Sequence, residues 1–241
     1  MCDNHAKALP RRALVTATAI GLAAGSLASG GIARRAYAQA AAPAPNAIAP
    51  DDALKVLMEG NARYIANATE NRDYSAGRAA RAAAQYPIAG LLSCADSRVA
   101  PELVFDQGPG ELFVVRVAGN FVSTDGLASL EYGVQILGLP LIMVLGHSGC
   151  GAVAATIKVL KEGTQLPGHL PALVSAIRPA IDMAEKAKAA DPLAAAITQN
   201  VRYNVARLHK ATPIIAEAAA TGRIKIIGGV YDIGTGRVSL V

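Results

Sequence analysis

Tryptophan is absent from this sequence, cysteine occurs three times, and aromatic residues make up 4% of the chain. No run of basic residues alternates with aromatic ones, which is the pattern of nucleic-acid-binding surfaces, so we expect no nucleic-acid partner. No segment is repeated, and from residue 51 onwards no second linker divides the chain. These absences favour a single domain with a sizeable core.

The amino-terminal segment has the layout of a bacterial export signal. Arg11 and Arg12 end a basic stretch, an uncharged Ala/Gly-rich run follows over 13–32, and Ala36–Ala38 has the small-x-small pattern of a cleavage site. The paired arginines favour the twin-arginine route. A transmembrane anchor is the alternative, although Ala, Gly, Ser and Thr make the run weakly apolar. We predict that 1–38 is the signal and that the protein is periplasmic, with only transient membrane contact during export.

The basic character of the chain lies mainly in this predicted signal. Residues 1–38 contain five basic residues and one acidic residue, a net charge of +4 out of +5 for the whole chain. The remaining part is nearly neutral, so the overall charge says little about nucleic acid. Residues 39–50 are rich in Ala and Pro and are predicted to be a flexible lead-in. Residues 51–241 are predicted to form the single domain.

Short apolar runs alternate with segments of helical periodicity after residue 50. Strands are predicted over 88–93, 111–118, 141–146 and 223–233, with a short edge strand over 236–241. Helices are predicted over 51–67, 124–138, 149–163, 171–190, 192–208 and 213–221. This alternation predicts an α/β fold with a mostly parallel central sheet of about four to five strands flanked by helices.

Potential metal ligands follow two of the predicted strands. Cys94 begins the motif CADSR after the first strand, and His147 and Cys150 lie in GHSGCG after the third. Because the carboxyl ends of parallel strands share one edge of the sheet, Cys94 and His147 can meet although they are 53 positions apart. The predicted position of Cys150 at a helix amino terminus favours its thiolate. Two thiolates, an imidazole and a carboxylate or water form a tetrahedral zinc site.

A disulfide is the alternative interpretation of Cys94 and Cys150. They are the only cysteines left once the predicted signal is removed, and an exported protein meets an oxidising compartment. The cysteine count alone leaves both interpretations open. A disulfide has no need of Asp96, Arg98 or His147, so the coincidence of all five residues at two strand ends favours the metal site.

These motifs resemble the signature of the β-class carbonic anhydrases, C-x-D-S-R followed by H-x-x-C about fifty residues later. The similarity extends through PGELFVVRVAGN, SLEYGVQILG and GGVYDIGTGRV and covers most of 51–238. The resemblance implies a parallel four-stranded core with an appended edge strand. It also implies a homodimer or higher homo-oligomer in which the amino-terminal helix, 51–67, packs on a partner subunit. From its apolar stripe alone, this helix could instead pack on its own sheet.

The resemblance also implies a role for each residue of the two motifs. Cys94, His147 and Cys150 would bind one Zn²⁺ per subunit, and Arg98 would hold Asp96 off the metal. Asp96 would then orient a zinc-bound hydroxide that attacks CO2 and yields bicarbonate and a proton. In a closed form, Asp96 itself would be the fourth zinc ligand.

The substrate pocket is likewise implied by the resemblance. Gln85 matches a residue that hydrogen-bonds the substrate, and Phe113, Ala118 and Tyr132 match residues of a narrow apolar CO2 pocket formed partly by the partner subunit. Leu91 occupies the position at which bicarbonate-inhibited members carry tryptophan. A related hydrolase of COS or CS2 would keep the same motif residues, so the sequence leaves that substrate class open.

Overall fold

The computed structural model describes residues 44–241, so the predicted export signal and the start of the lead-in lie outside the described residues. The strands are β1 (Ala89–Ser93), β2 (Leu112–Arg116), β3 (Leu141–His147), β4 (Lys225–Tyr231) and β5 (Val238–Leu240). They form one sheet in the order β2-β1-β3-β4-β5. The first four are parallel, and β5 is antiparallel to β4. The predicted α/β fold with a mostly parallel sheet is confirmed.

Eight helices surround this sheet within residues 44–241. They are α1 (Pro50–Ile65), α2 (Arg78–Ala83), α3 (Pro101–Val104), α4 (Thr124–Gln135), α5 (Gly151–Glu162), α6 (Leu170–Glu185), α7 (Pro192–His209) and α8 (Ile214–Ala220). Six correspond to predicted helices with ends shifted by a few residues, whereas α2 and α3 were not predicted. Within this part of the chain, no helix has both the length and the apolarity that spanning a membrane requires.

The two central strands are apolar along almost their whole length because both faces of the sheet are covered. Every residue of β1 and β3 is buried. On one face, Leu92 and Val144 pack with side chains of α4, α7 and α8. On the other face, Leu91 and Met143 pack with side chains of α1 and α3. Each strand therefore ends at a fixed depth in the core, and the residue after it emerges at a defined point on the sheet edge.

The inner face of α1 packs on this chain's own sheet. Ala53 and Leu57 are fully buried. Asn61 donates from Nδ2 to the carbonyl of Val104 at 3.0 Å and to that of Gly236 at 2.8 Å. Packing of α1 on a partner subunit therefore stays a prediction for its exposed face, which includes Val56.

The carboxyl-terminal half of the predicted lead-in was expected to be flexible, but the structure shows it attached to the domain through Asn46. Asn46 is only 2% exposed. Its Nδ2 donates to the carbonyl of Pro87 at 3.1 Å and to that of Leu137 at 2.7 Å. Because freeing these groups would leave buried carbonyls without partners, this stretch is attached to the domain. Pro50, the last residue of the predicted lead-in, is the first residue of α1.

Candidate metal centre

The cysteine and histidine side chains meet at the carboxyl edge of the sheet, as their positions after the predicted strands required. Strands β1 and β3 are neighbours, so Cys94 directly after β1 lies beside His147 at the end of β3. Cys150 is the residue before α5. The turn between them contains Gly149 at φ +63°, a left-handed conformation that glycine adopts without a steric cost.

These three side chains form a compact buried cluster. Their ligand atoms, two Sγ atoms and an imidazole nitrogen, all lie within 4.8 Å of one another. The exposed fractions are 3% for Cys94, 1% for Cys150 and 0% for His147. Cys94 and Cys150 are not joined in a disulfide. The cluster is small enough for one ion to bind all three groups.

The hydrogen bonding of His147 fits a metal ligand. Its Nδ1 lies 3.0 Å from the carbonyl oxygen of Ser148, so Nδ1 carries the proton and Nε2 keeps a free lone pair. Nε2 is buried and, among residues 44–241, finds no hydrogen-bond partner. A buried polar atom without a partner is costly, and metal coordination removes that cost. Two sulfur donors and one imidazole are the donor set that zinc favours, so the residues present fit a zinc ion.

The shifted pKa values of the two cysteines also favour the binding of a cation at the cluster. The hydrogen bond between the two thiols lowers the pKa of Cys94 to about 4 and raises that of Cys150, which is raised further by burial. Burial is the largest influence on the pKa of His147 and lowers it, but the neighbouring Cys94, the carbonyl oxygen of Ser148 and the carboxylate of Asp96 together outweigh burial and raise this pKa overall. The cluster therefore contains a stabilised thiolate before any metal arrives.

A carboxylate fixed by an arginine lies beside the cluster. Arg98 donates from Nε to Oδ1 of Asp96 at 2.9 Å and from Nη2 to Oδ2 at 2.7 Å. These charge-assisted bonds hold the pKa of the Asp96 carboxyl well below its usual range. Oδ2 of Asp96 is 3.8 Å from Nε2 of His147. Asp96 thus adjoins the cluster as an ionised group, while Arg98 fixes both of its oxygens.

Sequence reasoning did not assign a role to Arg116, which fixes the loop carrying these residues. Its Nε donates to the carbonyl of Cys94 at 2.9 Å, and its Nη2 donates to those of Asp96 and Val99, each at 2.8 Å. The backbone N–H of Gly119 donates to Sγ of Cys94 at 3.3 Å. Arg116 could have been noticed because it is an arginine at the end of an otherwise apolar strand. Nothing in the sequence pattern indicated that the N–H of Gly119 would contact the cluster.

The predicted pocket residues fall into two groups. Ala118 precedes Gly119 and is therefore close to the cluster. The other three lie towards the opposite end of the sheet; they are Gln85, Phe113 and Tyr132. Phe113 is in register with Gly90, four residues before Cys94, which corresponds to about 13 Å along a strand. Its ring centroid is 6.5 Å from that of Tyr132. Within one chain, the structure does not bring these three residues to the metal ligands.

Comparison with known proteins agrees with this geometry. The family model for carbonic anhydrase matches residues 89–238, which include the whole cluster. The chain is 41% identical over 194 residues to a carbonic anhydrase of Mycolicibacterium smegmatis, covering 79% of this chain and 93% of the relative. It is 38% identical over 195 residues to carbonic anhydrase 2 of Mycobacterium tuberculosis, covering 79% of this chain and 92% of the relative.

Solved structures show the same fold. A β-carbonic anhydrase of Coccomyxa, in complex with acetazolamide, matches with a TM-score of 0.60 and 33% identity over 69% of this chain and 77% of that chain. A tetrameric β-carbonic anhydrase of Sordaria macrospora matches with a TM-score of 0.62 and 25% identity over 68% of this chain and 86% of that chain. With its fold, its buried cluster and these relatives, the chain belongs to the β class of the carbonic anhydrase family.

Proposed function

We propose that this protein catalyses the reversible hydration of carbon dioxide to bicarbonate and a proton, with zinc held by Cys94, His147 and Cys150. The observation that carries the proposal is the buried cluster of two thiols and an unpartnered imidazole nitrogen beside an arginine-bound carboxylate. Zinc bound in such a site lowers the pKa of water and so makes a nucleophile available near neutral pH.

Asp96 orients the nucleophile in this proposal. Its carboxylate is ionised, and an ionised carboxylate only accepts hydrogen bonds, so it fixes the direction of a neighbouring O–H and turns the oxygen lone pair towards the substrate. Arg98 holds both carboxylate oxygens and keeps Asp96 beside the ligands rather than among them. Arg116 fixes the carbonyl groups of the same loop, so the carboxylate and the ligand Cys94 keep their relative positions.

Carbon dioxide is small, uncharged and apolar, so a pocket for it offers mainly apolar contact and the exclusion of water. Ala118 supplies one such wall next to Cys94. We propose that the other walls, Phe113 and Tyr132, and the hydrogen-bonding Gln85 come from a second copy of this chain, because they lie too far from the ligands of their own chain.

The free edge of β2 supports a homodimer. Glu111 and Val117 turn their backbone groups towards the β1 side, because their carbonyl oxygens accept hydrogen bonds from the backbone N–H groups of Ile88 and Ala95, respectively. Successive residues of a strand turn their backbone groups to opposite sides. The even-numbered residues of β2, with Val114 at the centre, therefore turn their N–H and C=O groups outwards. In residues 44–241, no strand pairs with this outer edge. The ring of Tyr132, whose centroid lies 6.5 Å from that of Phe113 on β2, is 49% exposed beside this strand.

A two-fold axis at this edge explains how the pocket is completed. Two copies related by such an axis present the same patch to each other, so their β2 strands run antiparallel. The amino end of β2 in one copy then lies beside the carboxyl end of β2 in the other. Phe113 of each copy is brought towards the metal ligands of its neighbour. The dimer would be the unit of activity, and larger assemblies would be built from it.

Val114→Pro is expected to convert the dimer into a monomer and to abolish most CO2 hydration. Proline removes one outward N–H at the proposed interface, and edge strands tolerate it because no bond within the chain's own sheet is lost. Light scattering measures the mass, and stopped-flow hydration measures the activity. Leu240→Pro is the matched control, because its N–H points outwards from the other edge strand. A Val114→Pro protein that stays dimeric would contradict pairing through this edge, and a fully active monomer would contradict the shared pocket.

The activity itself is tested by stopped-flow hydration of CO2 with zinc-loaded protein, assayed beside hydrolysis of COS. The expected result is CO2 hydration that depends on stoichiometric zinc. Zinc-dependent COS hydrolysis without CO2 hydration would replace the proposed substrate. Purified protein without zinc and with Cys94 bonded to Cys150 would contradict the proposal as a whole.

We further propose that the protein reaches the periplasm folded, by the twin-arginine route. The buried thiols support this, because a chain threaded unfolded into an oxidising compartment would expose Cys94 and Cys150 to joint oxidation. Arg11→Lys combined with Arg12→Lys is expected to trap active, zinc-loaded precursor in the cytoplasm, uncleaved at Ala38. Cell fractionation with immunoblotting locates the protein and shows whether it is cleaved, and a CO2 hydration assay measures the activity of the retained precursor.

The matched control for export is Arg34→Lys with Arg35→Lys, a second arginine pair located after the apolar run. It carries the same chemical change and is expected to leave export unchanged. Normal processing of the Arg11, Arg12 double variant would contradict folded export and favour an ordinary secretory signal.

A further inference from the structure

Helix α7 carries two asparagines that are buried although they lie far from the metal ligands in sequence. Asn200 is 1% exposed and Asn204 is 0% exposed. They are one helical turn apart and therefore share a face. Polar side chains rarely occupy such positions unless each polar group finds a partner. Their partners lie in the segment that follows β2, between Gly119 and Val122.

Asn200 is connected to the metal cluster through one glycine. Its Nδ2 donates to the carbonyl oxygen of Gly119 at 2.8 Å, and the N–H of Gly119 donates to Sγ of Cys94 at 3.3 Å. Gly119 has φ +84°, and a Cβ at this position would lie 2.5 Å from Cδ1 of Ile177. Position 119 therefore has room only for glycine, in a left-handed turn packed closely against Ile177 of α6, and the side-chain amide of Asn200 holds the carbonyl group of this turn.

Asn204 holds Asn200 in the orientation that this contact requires. Its Nδ2 lies 3.2 Å from Oδ1 of Asn200 and 2.8 Å from the carbonyl oxygen of the same residue. Its Oδ1 accepts from the N–H of Val122 at 2.8 Å. Because Oδ1 of Asn200 is occupied as an acceptor, its Nδ2 is left to face Gly119. The pair thus fastens both ends of the segment that carries the N–H donor.

We propose that Asn200 is a positioning residue of the zinc site, which fixes Gly119 so that its N–H stays bonded to the sulfur of Cys94. This inference rests on the proposed function, since it concerns the same ligand. An N–H donor draws negative charge from a thiolate, which stabilises the thiolate against protonation and limits the charge that it donates to a metal. Asn200 would in this way adjust how strongly Cys94 binds zinc without contacting the ion.

The test is the single substitution Asn200→Ala, compared with the wild-type protein. Each protein is loaded with zinc to measure affinity and with cobalt(II), a spectroscopic substitute for zinc, to record the absorption spectrum. Loss of the anchor is expected to move the thiolate-to-cobalt charge-transfer band to longer wavelength, because a sulfur without its N–H donor gives up charge more easily. The zinc dissociation constant is expected to rise by about tenfold, the lower end of the range for groups that support a metal ligand, because Cys94 is then held less firmly in its binding orientation and this loss exceeds the gain from stronger charge donation. Hydrogen exchange at the amide of Gly119 is expected to accelerate in the metal-free protein as well.

Asn61→Ala is the matched control. Asn61 is also a buried asparagine that donates to two backbone carbonyls, but it lies on α1 and reaches Val104 and Gly236 instead of the cluster. It should lower the melting temperature without moving the cobalt band. If Asn200→Ala does not fold, Asn204→Ala is the second variant. It removes only the hydrogen bonds that hold Asn200 in place and should shift the cobalt band in the same direction by a smaller amount.

Different failures have different meanings. An Asn200→Ala protein with the wild-type band and wild-type exchange at Gly119, or an equal shift in Asn61→Ala, would overturn the positioning role alone. Wild-type protein that binds neither zinc nor cobalt(II) would overturn the proposed zinc site and this inference together.

Discussion

Cys150→Ser is expected to lose zinc and, with it, CO2 hydration and much of the stability of the fold. Changing a group that merely supports a metal ligand weakens binding by about 10–100-fold, so removal of a ligand sulfur should exceed about 100-fold. The free energy of metal binding contributes to folding, so the melting temperature should fall as well. Zinc content after gel filtration, thermal unfolding with and without added zinc, and stopped-flow hydration measure the three effects.

Thr156→Val provides the matched control for this substitution. Thr156 is buried on α5, the helix that Cys150 precedes, and within the described part of the chain its hydroxyl bonds only to the carbonyl of Ala152. Valine has nearly the same shape, so zinc should stay at one ion per chain. Stoichiometric, tightly bound zinc in Cys150→Ser would show that this sulfur is not a ligand.

Asp96→Asn is expected to keep zinc but to lose at least about 100-fold in CO2 hydration, the size of loss that misplacing a reacting group by about 1 Å can cause. Asparagine has the size of aspartate, so the ligands should be undisturbed. Its amide, however, has one acceptor oxygen instead of two and no charge to pair with Arg98. Both the orientation of the nucleophile and the bidentate bond from the guanidinium are then lost. Zinc content and stopped-flow hydration, measured on the same preparation, separate the two properties.

Asp182→Asn makes the same chemical change at an acid–arginine pair away from the cluster. Asp182 lies 3.6 Å from Arg178 on the surface of α6, and both side chains are more than half exposed. Wild-type activity is expected there. If Asp96→Asn retained full activity, the assignment of Asp96 and Arg98 to the chemistry would be wrong.

The main elements of the fold were predictable because parallel strands covered on both faces read as continuous apolar runs. That is the pattern of β1 and β3, every residue of which is buried. Helices α2 and α3 were missed because six and four residues are too few to establish a helical period. The lead-in was expected to be flexible from its Ala/Pro composition, but composition does not register a single anchoring side chain such as Asn46.

The metal cluster was predictable because its ligands follow strands directly, where a parallel sheet brings them to one edge. The groups that support it were not. Arg116 acts through backbone carbonyls, and Asn200 acts through a peptide group of another segment, so neither has a spacing that points to the site. Two asparagines one turn apart on the buried face of α7 were the available signal, since a buried amide needs a local partner.

The two edges of the sheet differ in a way that determines how far strand pairing can continue. A sheet with two long, flat edges is a template for open-ended growth into fibres. Here, pairing of β2 with a second copy would use one edge completely, and both outer boundaries of the joined sheet would be β5. That strand has only three residues, from Val238 to Leu240, and it is antiparallel to its neighbour. Short edge strands are poor templates, so the proposed β2 pairing would close on two copies and would protect the protein from polymerising through its sheet.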